Sequence, residues 1–545
     1  MTTTAREAND RGFECCILSD CTSGFNTSFV QTSIDMISAY DGLFGYVAPS
    51  QDLLAQCPPR SQLTPPLTPP AEERRPEHDL GLGYLQQRYA KEMFDPVQLI
   101  HSIYDRIEAN LSTFPNVWIH LRPRTDVARD ASRLHEVYAG RPRPPLYGIP
   151  FAIKDNFDVA GLPTTAACAV YAYNPSETAP SVSALLNAGA LLIGKTNMDQ
   201  LATGLSGCRS PHGSPSSVYG QSKYISGGSS SGSGVAVAAK MVSFALGTDT
   251  AGSGRVPAAL NGIVGLKPTK GTVSARGIVP ACKSLDTVSV FATCVSDARS
   301  VWQIMDTHDP QDAYAKPIST LPVKAVDYRG VESAGFSFTI PPPEVLTVCS
   351  SSYRGMFADT VRRLEDYGGR CVPLSVADFE PFQSASDLLY SGTLVNERIA
   401  CIGHDFITKN LDSLHSTTSS LFDAILNRDS RPWDLFTDQI AQKECTRKAE
   451  QLFEKIDVMV LPAVPCHPTL QQMELDPINL NAKMGEFTHF ANVLDLCAIN
   501  INAALYEGDD GKMPFGISLV SGMGMDGRVM DIATYIEERL SVLET

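Results

Sequence analysis

The fold of this chain is decided by two serine-bearing stretches, GGSSSGSG at residues 227–234 and DTAGSGR at residues 249–255. Their key serines, Ser229 and Ser253, lie 24 positions apart (253 − 229), and Lys154 lies 75 positions before Ser229 (229 − 154). A serine hydroxyl becomes a good nucleophile when a neighbouring base removes its proton, and a neutral lysine can be that base. The three residues together are typical of a Ser-Ser-Lys hydrolase.

Lys154 follows an apolar run at residues 147–153, which predicts a buried strand. Burial disfavours the ammonium form and lowers the pKa of a lysine, as a general base near neutral pH requires. The alternative is a lysine at a strand edge that pairs with Asp155. The downstream serines favour the catalytic interpretation.

Ser253 lies where a predicted strand at residues 244–247 breaks into Thr250, Ala251 and Gly252. Small side chains let consecutive backbone N–H groups converge, so these residues and Ser253 are candidates for an oxyanion hole. A helix is predicted to begin near residue 257. Ser229, flanked by glycines, is placed to relay a proton between Lys154 and Ser253. A flexible linker is excluded there, because residues 235–239 predict a buried helix directly afterwards.

Two other pattern matches are misleading. Residues 189–196 (GALLIGKT) fit the phosphate-binding P-loop expression, but their apolar centre predicts a strand rather than a loop around phosphate. The residues around Ser230 fit G-x-S-x-G, yet no apolar strand precedes them, as a nucleophile elbow requires. We therefore predict neither nucleotide binding nor an elbow serine.

Composition narrows the class of protein. The chain has 545 residues, 43% of them hydrophobic, and a net charge of −16, without a basic stripe for nucleic acid or anionic membranes. The N-terminus lacks the apolar core of a signal peptide, and no apolar stretch is long enough to span a bilayer. The 14 cysteines show no paired spacing, so we expect reduced thiols in a cytoplasmic protein. No metal or organic cofactor is expected.

Three segments differ in composition. Residues 1–50 predict a strand at 14–18 and an amphipathic helix at 30–40, whereas residues 51–80 are rich in proline and predict an extended linker. From residue 81 to residue 545, helical segments alternate with short β-rich runs, as in layered α/β domains.

Residues 1–50 resemble the C-terminal end of isochorismatase-like cysteine hydrolases, through TTAREA (3–8), RGFE (11–14), SDCT (19–22) and DMI (35–37). The resemblance implies catalytic residues upstream of this fragment, so no catalysis by it is expected. A docking remnant and a truncated gene model both remain open.

Residues 81–545 resemble the amidase signature family. Lys154, the two serine-bearing stretches and GIVGLKPT (262–269) occur in the family's order and spacing. The resemblance implies an α/β amidase signature fold, with a large mixed β-sheet between helical layers. It also implies Ser253 as nucleophile, Ser229 as the bridging serine on a cis peptide, and Lys154 as base.

Within that family, the chain is most similar to the allophanate hydrolase amidase domains, through GLPTTAAC (161–168), TGLSG (203–207), AGSGRVP (251–257) and PACKSLD (280–286). The resemblance implies that Tyr390 and Arg398 bind the substrate. At helical spacing, eight positions place them near one face. The alternative for Arg398 is an ion pair with Glu397 or another surface acid.

The resemblance implies hydrolysis of allophanate (urea-1-carboxylate) with release of ammonia. A homodimer is one possible oligomeric state. Two alternatives stand beside allophanate hydrolysis, a broader amidase on a larger amide and an amidotransferase-type subunit. Many relatives carry a C-terminal domain that processes the first product, whereas the resemblance here ends after PFGISL (514–519). Residues 506–512 predict a surface hairpin insertion.

Overall fold

The computed structural model describes residues 79–93, 95–317, 321, 331 and 335–541, together with two short strands near the N-terminus. The chain forms two units, residues 1–78 and 79–545. The second unit carries every candidate site residue.

In the N-terminal unit, β1 (Cys16–Leu18) pairs in parallel with β2 (Tyr46–Ala48). The strand predicted at residues 14–18 thus lies partly within the described residues. The helix predicted at 30–40 and the linker up to residue 78 lie outside them. The isochorismatase-like interpretation and the three-part division of the chain remain predictions.

An eleven-stranded mixed sheet organises the second unit, in the order β10-β9-β11-β13-β12-β7-β8-β6-β4-β5-β3. Its strands are β3 (Trp118–Leu121), β4 (Pro150–Lys154), β5 (Leu191–Thr196), β6 (Phe244–Asp249), β7 (Val264–Lys267), β8 (Thr287–Ala292), β9 (Phe336–Thr339), β10 (Gly369–Cys371), β11 (Val458–Pro462), β12 (Cys497–Gly508) and β13 (Gly511–Ser521).

Helices pack against this sheet; for example α5 lies on β6, and α6 on β7 and β13. Their bounds are α1 (Leu82–Ala90), α2 (Pro96–Asn110), α3 (Arg124–Val137), α4 (Pro180–Asn187), α5 (Ser231–Ala238), α6 (Arg255–Leu260), α7 (Val295–Met305), α8 (Ser351–Asp366), α9 (Val376–Tyr390), α10 (Glu397–Ile402), α11 (His404–Asn410), α12 (Ser416–Leu426), α13 (Pro432–Phe453), α14 (Leu470–Leu475), α15 (Asn479–Lys483), α16 (His489–Val493) and α17 (Asp526–Ser541).

The centre of the sheet places the candidate site. Strand β4 pairs in parallel with both β5 and β6, and all three strands are buried along their whole length. Parallel neighbours end at the same edge of a sheet, so Lys154 at the end of β4 lies beside the end of β6. The predicted α/β fold with a large mixed sheet and packed helices is confirmed.

Local predictions also hold. The apolar run before Lys154 forms β4, residues 244–247 lie in β6, and residues 235–238 lie in the buried helix α5. The helix expected near residue 257 begins two positions earlier, at Arg255. The hairpin predicted at residues 506–512 is the turn between β12 and β13.

Candidate active site

Lys154 is fully buried and held by two hydroxyl groups. Its Nζ donates to Ser229 Oγ at 2.7 Å and to Thr248 Oγ1, on the neighbouring strand β6, at 2.7 Å. The predicted pairing of Lys154 with Ser229 is therefore present in the structure. Thr248 is a partner that the sequence analysis did not identify.

Burial sets the protonation state of this lysine. Loss of hydration lowers the pKa of Lys154 to about 7, although the nearby carboxylates of Asp199, Asp286 and Asp249 oppose the shift. In a large fraction of the molecules, the Lys154 side chain is therefore neutral near pH 7, as a general base requires. The alternative pairing with Asp155 is wrong, because Asp155 forms an ion pair with Lys195 at 3.2 Å.

Ser229 is held by the main chain as well as by Lys154. The Gly228–Ser229 peptide bond is cis, and the Ser229 carbonyl accepts a hydrogen bond from the Asp199 N–H at 3.0 Å. A Cβ at position 228 would collide with the Asp199 carboxylate, so glycine is required for this approach. The small residues of the stretch serve close packing rather than flexibility.

The loop that carries Ser253 curls around a carboxylate. Asp249, the last residue of β6, accepts hydrogen bonds from the N–H groups of Gly252 (2.9 Å) and Gly254 (3.1 Å). Gly252 has a φ of +126°, and a Cβ there would meet the Thr488 side chain. Glycine is the residue that tolerates this conformation.

A buried ion pair supports the same loop. Arg255 Nε and Nη2 donate to the two carboxylate oxygens of Asp249 at 3.0 and 2.9 Å, and neither side chain is exposed. Asn492 accepts from Arg255 and donates to the Asp249 carbonyl. Burial is the largest single influence on Asp249 and raises its pKa. The charge and hydrogen bonds of Arg255, the charge of Lys267 and the Gly254 N–H together outweigh burial, so the pKa of Asp249 lies below its usual value.

The oxyanion prediction requires one correction. The N–H of Gly252 points to Asp249 and is not available to a substrate, because the loop turns around that carboxylate. Within the described residues, the N–H groups of Thr250, Ala251 and Ser253 have no acceptor. Ser253 is 3% exposed, and its hydroxyl forms no hydrogen bond in the described part of the chain. Its contact with Ser229 remains a prediction.

Tyr390 and Arg398 line one cavity of about 730 Å³. The other lining residues come from four stretches: Thr203, Gly204 and Arg209; Glu380, Gln383, Ser384, Ser386, Asp387 and Ser391; Leu421; and Ile478, Asn481, Ala482, Lys483, Glu486 and His489. The structure thus brings the two predicted substrate-binding residues together.

Arg398 is 3% exposed and donates to Thr203 Oγ1 at 3.1 Å and to the Ala202 carbonyl at 3.5 Å. The alternative pairing with Glu397 is wrong, because the Glu397 carboxylate accepts from Ser284 instead. The single helical face expected for both residues is also wrong, since helix α9 ends at Tyr390 and Arg398 lies in α10.

The cavity adjoins the Ser253 loop. Thr488 Oγ1 donates to the Ala251 carbonyl at 2.8 Å, and its neighbour His489 lines the cavity with its ring 4.8 Å from that of Tyr390. Burial lowers the pKa of His489 to about 3, so this imidazole is neutral at physiological pH. Residues 488 and 489 thus connect the Ser253 loop with the cavity, whose lining includes none of Lys154, Ser229 and Ser253.

The residues of both misleading patterns form contacts within the fold. The P-loop-like residues form β5, and Lys195 donates to the Pro163 carbonyl and to Thr164 Oγ1 as well as to Asp155. Ser230 Oγ donates to the Thr248 carbonyl. Their rejection on sequence grounds agrees with these contacts.

Three polar residues were missed by the sequence analysis: Thr248, Asp199 and Asp286. Asp286 accepts from Thr250 Oγ1 at 2.5 Å, and burial raises the pKa of its carboxyl group to about 6. Asp286 and Thr248 stood inside or beside quoted motifs, which was the available signal. Asp199 lies between two quoted stretches, residues 189–196 and 203–207, but neither motif includes it.

The described residues contain no group of three or more His, Cys, Asp or Glu side chains suited to a metal ion. Their ten cysteines are free thiols. Among the helices in the described ranges, none is both long and apolar enough to cross a lipid bilayer.

Comparison with known proteins identifies similar sequences. The family model named Amidase matches residues 98–530. Urea amidolyase of Saccharomyces cerevisiae is 38% identical over 444 residues, which cover 80% of this chain and 23% of that protein. The chain thus spans less than a quarter of that relative's length.

Two further similarities extend the comparison. The solved structure of Kluyveromyces lactis allophanate hydrolase superposes with a TM-score of 0.73 and 34% identity, covering 84% of this chain and 72% of that one. A glutamyl-tRNA(Gln) amidotransferase subunit from Natranaerobius thermophilus is 26% identical over 493 residues, or 86% of this chain and 97% of that protein.

Proposed function

This chain belongs to the amidase family, and on that premise we propose that it is a serine amidohydrolase acting on allophanate. The similarity to urea amidolyase and to a solved allophanate hydrolase supports the substrate. The observation that carries the proposal is Arg398, a buried cation that lines the cavity and has no ion-pair partner among the described residues. A carboxylated substrate supplies the missing charge.

In the proposed reaction, neutral Lys154 takes the proton of Ser229 while Ser229 takes that of Ser253. Ser253 Oγ then attacks the terminal amide carbonyl, and the N–H groups of Thr250, Ala251 and Ser253 stabilise the oxyanion. The carbon–nitrogen bond breaks as the proton returns to the leaving nitrogen, which departs as ammonia. Water then releases the acyl group from Ser253 by the reverse proton path, yielding N-carboxycarbamate.

The test is ammonia release by purified protein from allophanate, biuret, urea and a panel of simple amides. Biuret is the neutral counterpart of allophanate, with an amide in place of the carboxylate. Arg398→Gln is expected to lower kcat/KM for allophanate by about 10- to 100-fold, because a charged hydrogen bond is lost, and to affect biuret much less. If no ammonia were released from allophanate while another amide was hydrolysed, this substrate would be excluded and the amidase chemistry would be retained.

A broader amidase acting on a larger amide is the second candidate. The cavity of about 730 Å³ lies in the range that holds drug-sized ligands, far larger than allophanate needs. Turnover of bulky neutral amides that is indifferent to Arg398→Gln would favour this candidate.

An amidotransferase-type subunit is the third candidate, because the similarity covers 97% of the Natranaerobius thermophilus protein. Co-purification with a stoichiometric partner, together with glutamine hydrolysis, would favour it. A homodimer remains a prediction, which size-exclusion chromatography with light scattering would test by measuring the molar mass in solution.

A further inference from the structure

A second buried arginine lines the substrate cavity. Arg209 is 4% exposed, and its guanidinium donates to the Thr203 carbonyl at 3.1 Å and to the Pro477 carbonyl at 2.7 Å. A guanidinium carries five N–H donors, and these two bonds use two of them. Its Nε has no acceptor within the described residues. The fold therefore leaves donor capacity on Arg209.

Arg209 and Arg398 converge on one residue. Arg209 bonds to the carbonyl of Thr203, and Arg398 bonds to its hydroxyl, also at 3.1 Å. Burial lowers the pKa of Arg209 from its usual value, the nearby carboxylate of Asp199 opposes this shift, and the charge of Arg398 adds to it to a smaller extent. Two positive charges thus share one wall of the cavity.

Two buried carboxylates near the guanidinium groups, those of Asp199 and Asp286, are occupied by other donors. Asp199 accepts from the backbone N–H groups of Gly207 and Arg209, and Asp286 accepts from Thr250 Oγ1 and two backbone N–H groups. Among the described residues, neither carboxylate forms an ion pair with either guanidinium. A buried charge without a contacting counter-ion is costly, so a paired-arginine wall is suited to an anionic ligand.

We propose that Arg209 is a second substrate-binding residue, forming with Arg398 a paired-guanidinium site for short amides that carry a carboxylate. The inference rests on the proposed function and deepens it. One guanidinium binds the substrate carboxylate, and the other reaches its second oxygen or the adjacent carbonyl. The substrate class is then amides with a carboxylate two bonds from the scissile carbonyl carbon, of which allophanate is one.

The experiment uses two substrate pairs that differ in the carboxylate, allophanate with biuret and malonamate with malonamide. For wild type, Arg209→Gln and Arg209→Lys, the ratio of kcat/KM within each pair is measured. Arg209→Gln is expected to reduce the preference for the carboxylated member by about 10- to 100-fold, mainly through KM. Arg209→Lys retains the positive charge but lacks the planar guanidinium group that can donate two parallel hydrogen bonds. It is expected to recover part of the preference for the carboxylated substrate.

The matched control is Arg122→Gln, which removes a partly buried arginine bonded to Asp130 and the Leu192 carbonyl, outside the cavity. It is expected to leave both ratios unchanged. A wild-type preference that Arg209→Gln leaves intact overturns the role of Arg209 and spares the proposed substrate. An equal fall in kcat/KM for both members of each pair shows that Arg209 has a purely structural role and also overturns its proposed role in substrate binding. A wild type without any preference for the carboxylated members overturns both proposals.

Discussion

The proposed proton-relay region and the proposed substrate cavity are built in opposite ways. Lys154, Ser229 and Ser253 come from two strand ends and two loops of small residues, and none is more than 3% exposed. The cavity collects side chains from helices and loops between residues 203 and 489, and its Tyr390 is 37% exposed.

This difference reflects what each region has to do. A lysine acts as a base near neutral pH when it is dehydrated, so the relay needs tight packing that glycines and serines allow. Recognition of a charged substrate needs donors that remain open to the cavity. Substitutions in the relay should therefore change the rate for every amide, whereas substitutions in the cavity should change the choice among amides.

The largest expected effect tests the relay itself. Ser253→Ala removes the proposed nucleophile and is expected to reduce kcat by about 10⁴- to 10⁶-fold on all substrates. The thermal unfolding midpoint should remain close to that of wild type, because the lost hydroxyl forms no hydrogen bond with any of the described residues. An unchanged rate of ammonia release would exclude the Ser-Ser-Lys mechanism.

The next largest effect is the pH dependence of kcat/KM, which Lys154 should set equally for every substrate. Because the pKa of Lys154 is lowered to about 7, its neutral form is lost as the pH falls. We expect kcat/KM to rise about tenfold per pH unit below pH 6 and to level off above pH 8, for charged and neutral amides alike. A flat profile between pH 6 and 8, measured under steady-state conditions, would remove Lys154 as the base.

A smaller effect is expected from Thr248→Val, which preserves shape and removes the second acceptor of Lys154 Nζ. Loss of one neutral hydrogen bond of about 1 kcal/mol should lower kcat by about fivefold, equally for allophanate and biuret. A change in the ratio between these substrates, measured side by side, would contradict the separation of relay and cavity.

The mildest test concerns stability. Gly252→Ala should destabilise the fold by about 1–3 kcal/mol, because it forces alanine to a φ of +126° against Thr488. The matched control is Gly355→Ala in helix α8, where a Cβ meets nothing within 4 Å, and a gain of about 0.5–1 kcal/mol is expected. Urea unfolding of both variants measures the difference, and an equal response of the two would contradict the strain argument.

Local sequence sufficed to predict the strands and tight loops that carry Lys154, Ser229 and Ser253. An apolar run predicts the strand before Lys154, and small residues that precede a helix predict the tight loops around Ser229 and Ser253. Both signals act within ten residues of the side chain concerned. The same holds for the rejected P-loop pattern, whose apolar centre already predicted β5.

Contacts distant in the chain could not be predicted in this way. Helix α9 stops at Tyr390 because Gly392 follows, and because Arg428 donates to the carbonyls of Tyr390 and Gly392 at 2.9 and 2.6 Å. No periodicity reveals an arginine that caps a helix 38 positions earlier. The Asn492 contact with Asp249 bridges 243 positions, and pattern reasoning provides no signal for it.

The order of these segments along the chain also matters for redesign. The three relay side chains are encoded between residues 150 and 255, whereas Tyr390 and Arg398 lie in the later stretch that contains helices α9 and α10. A mutant library confined to residues 376–402 is therefore expected to diversify the amides accepted without altering the codons of the proposed base, bridging serine and nucleophile. Screening of such libraries can start from a chain in which the proposed relay is unaltered.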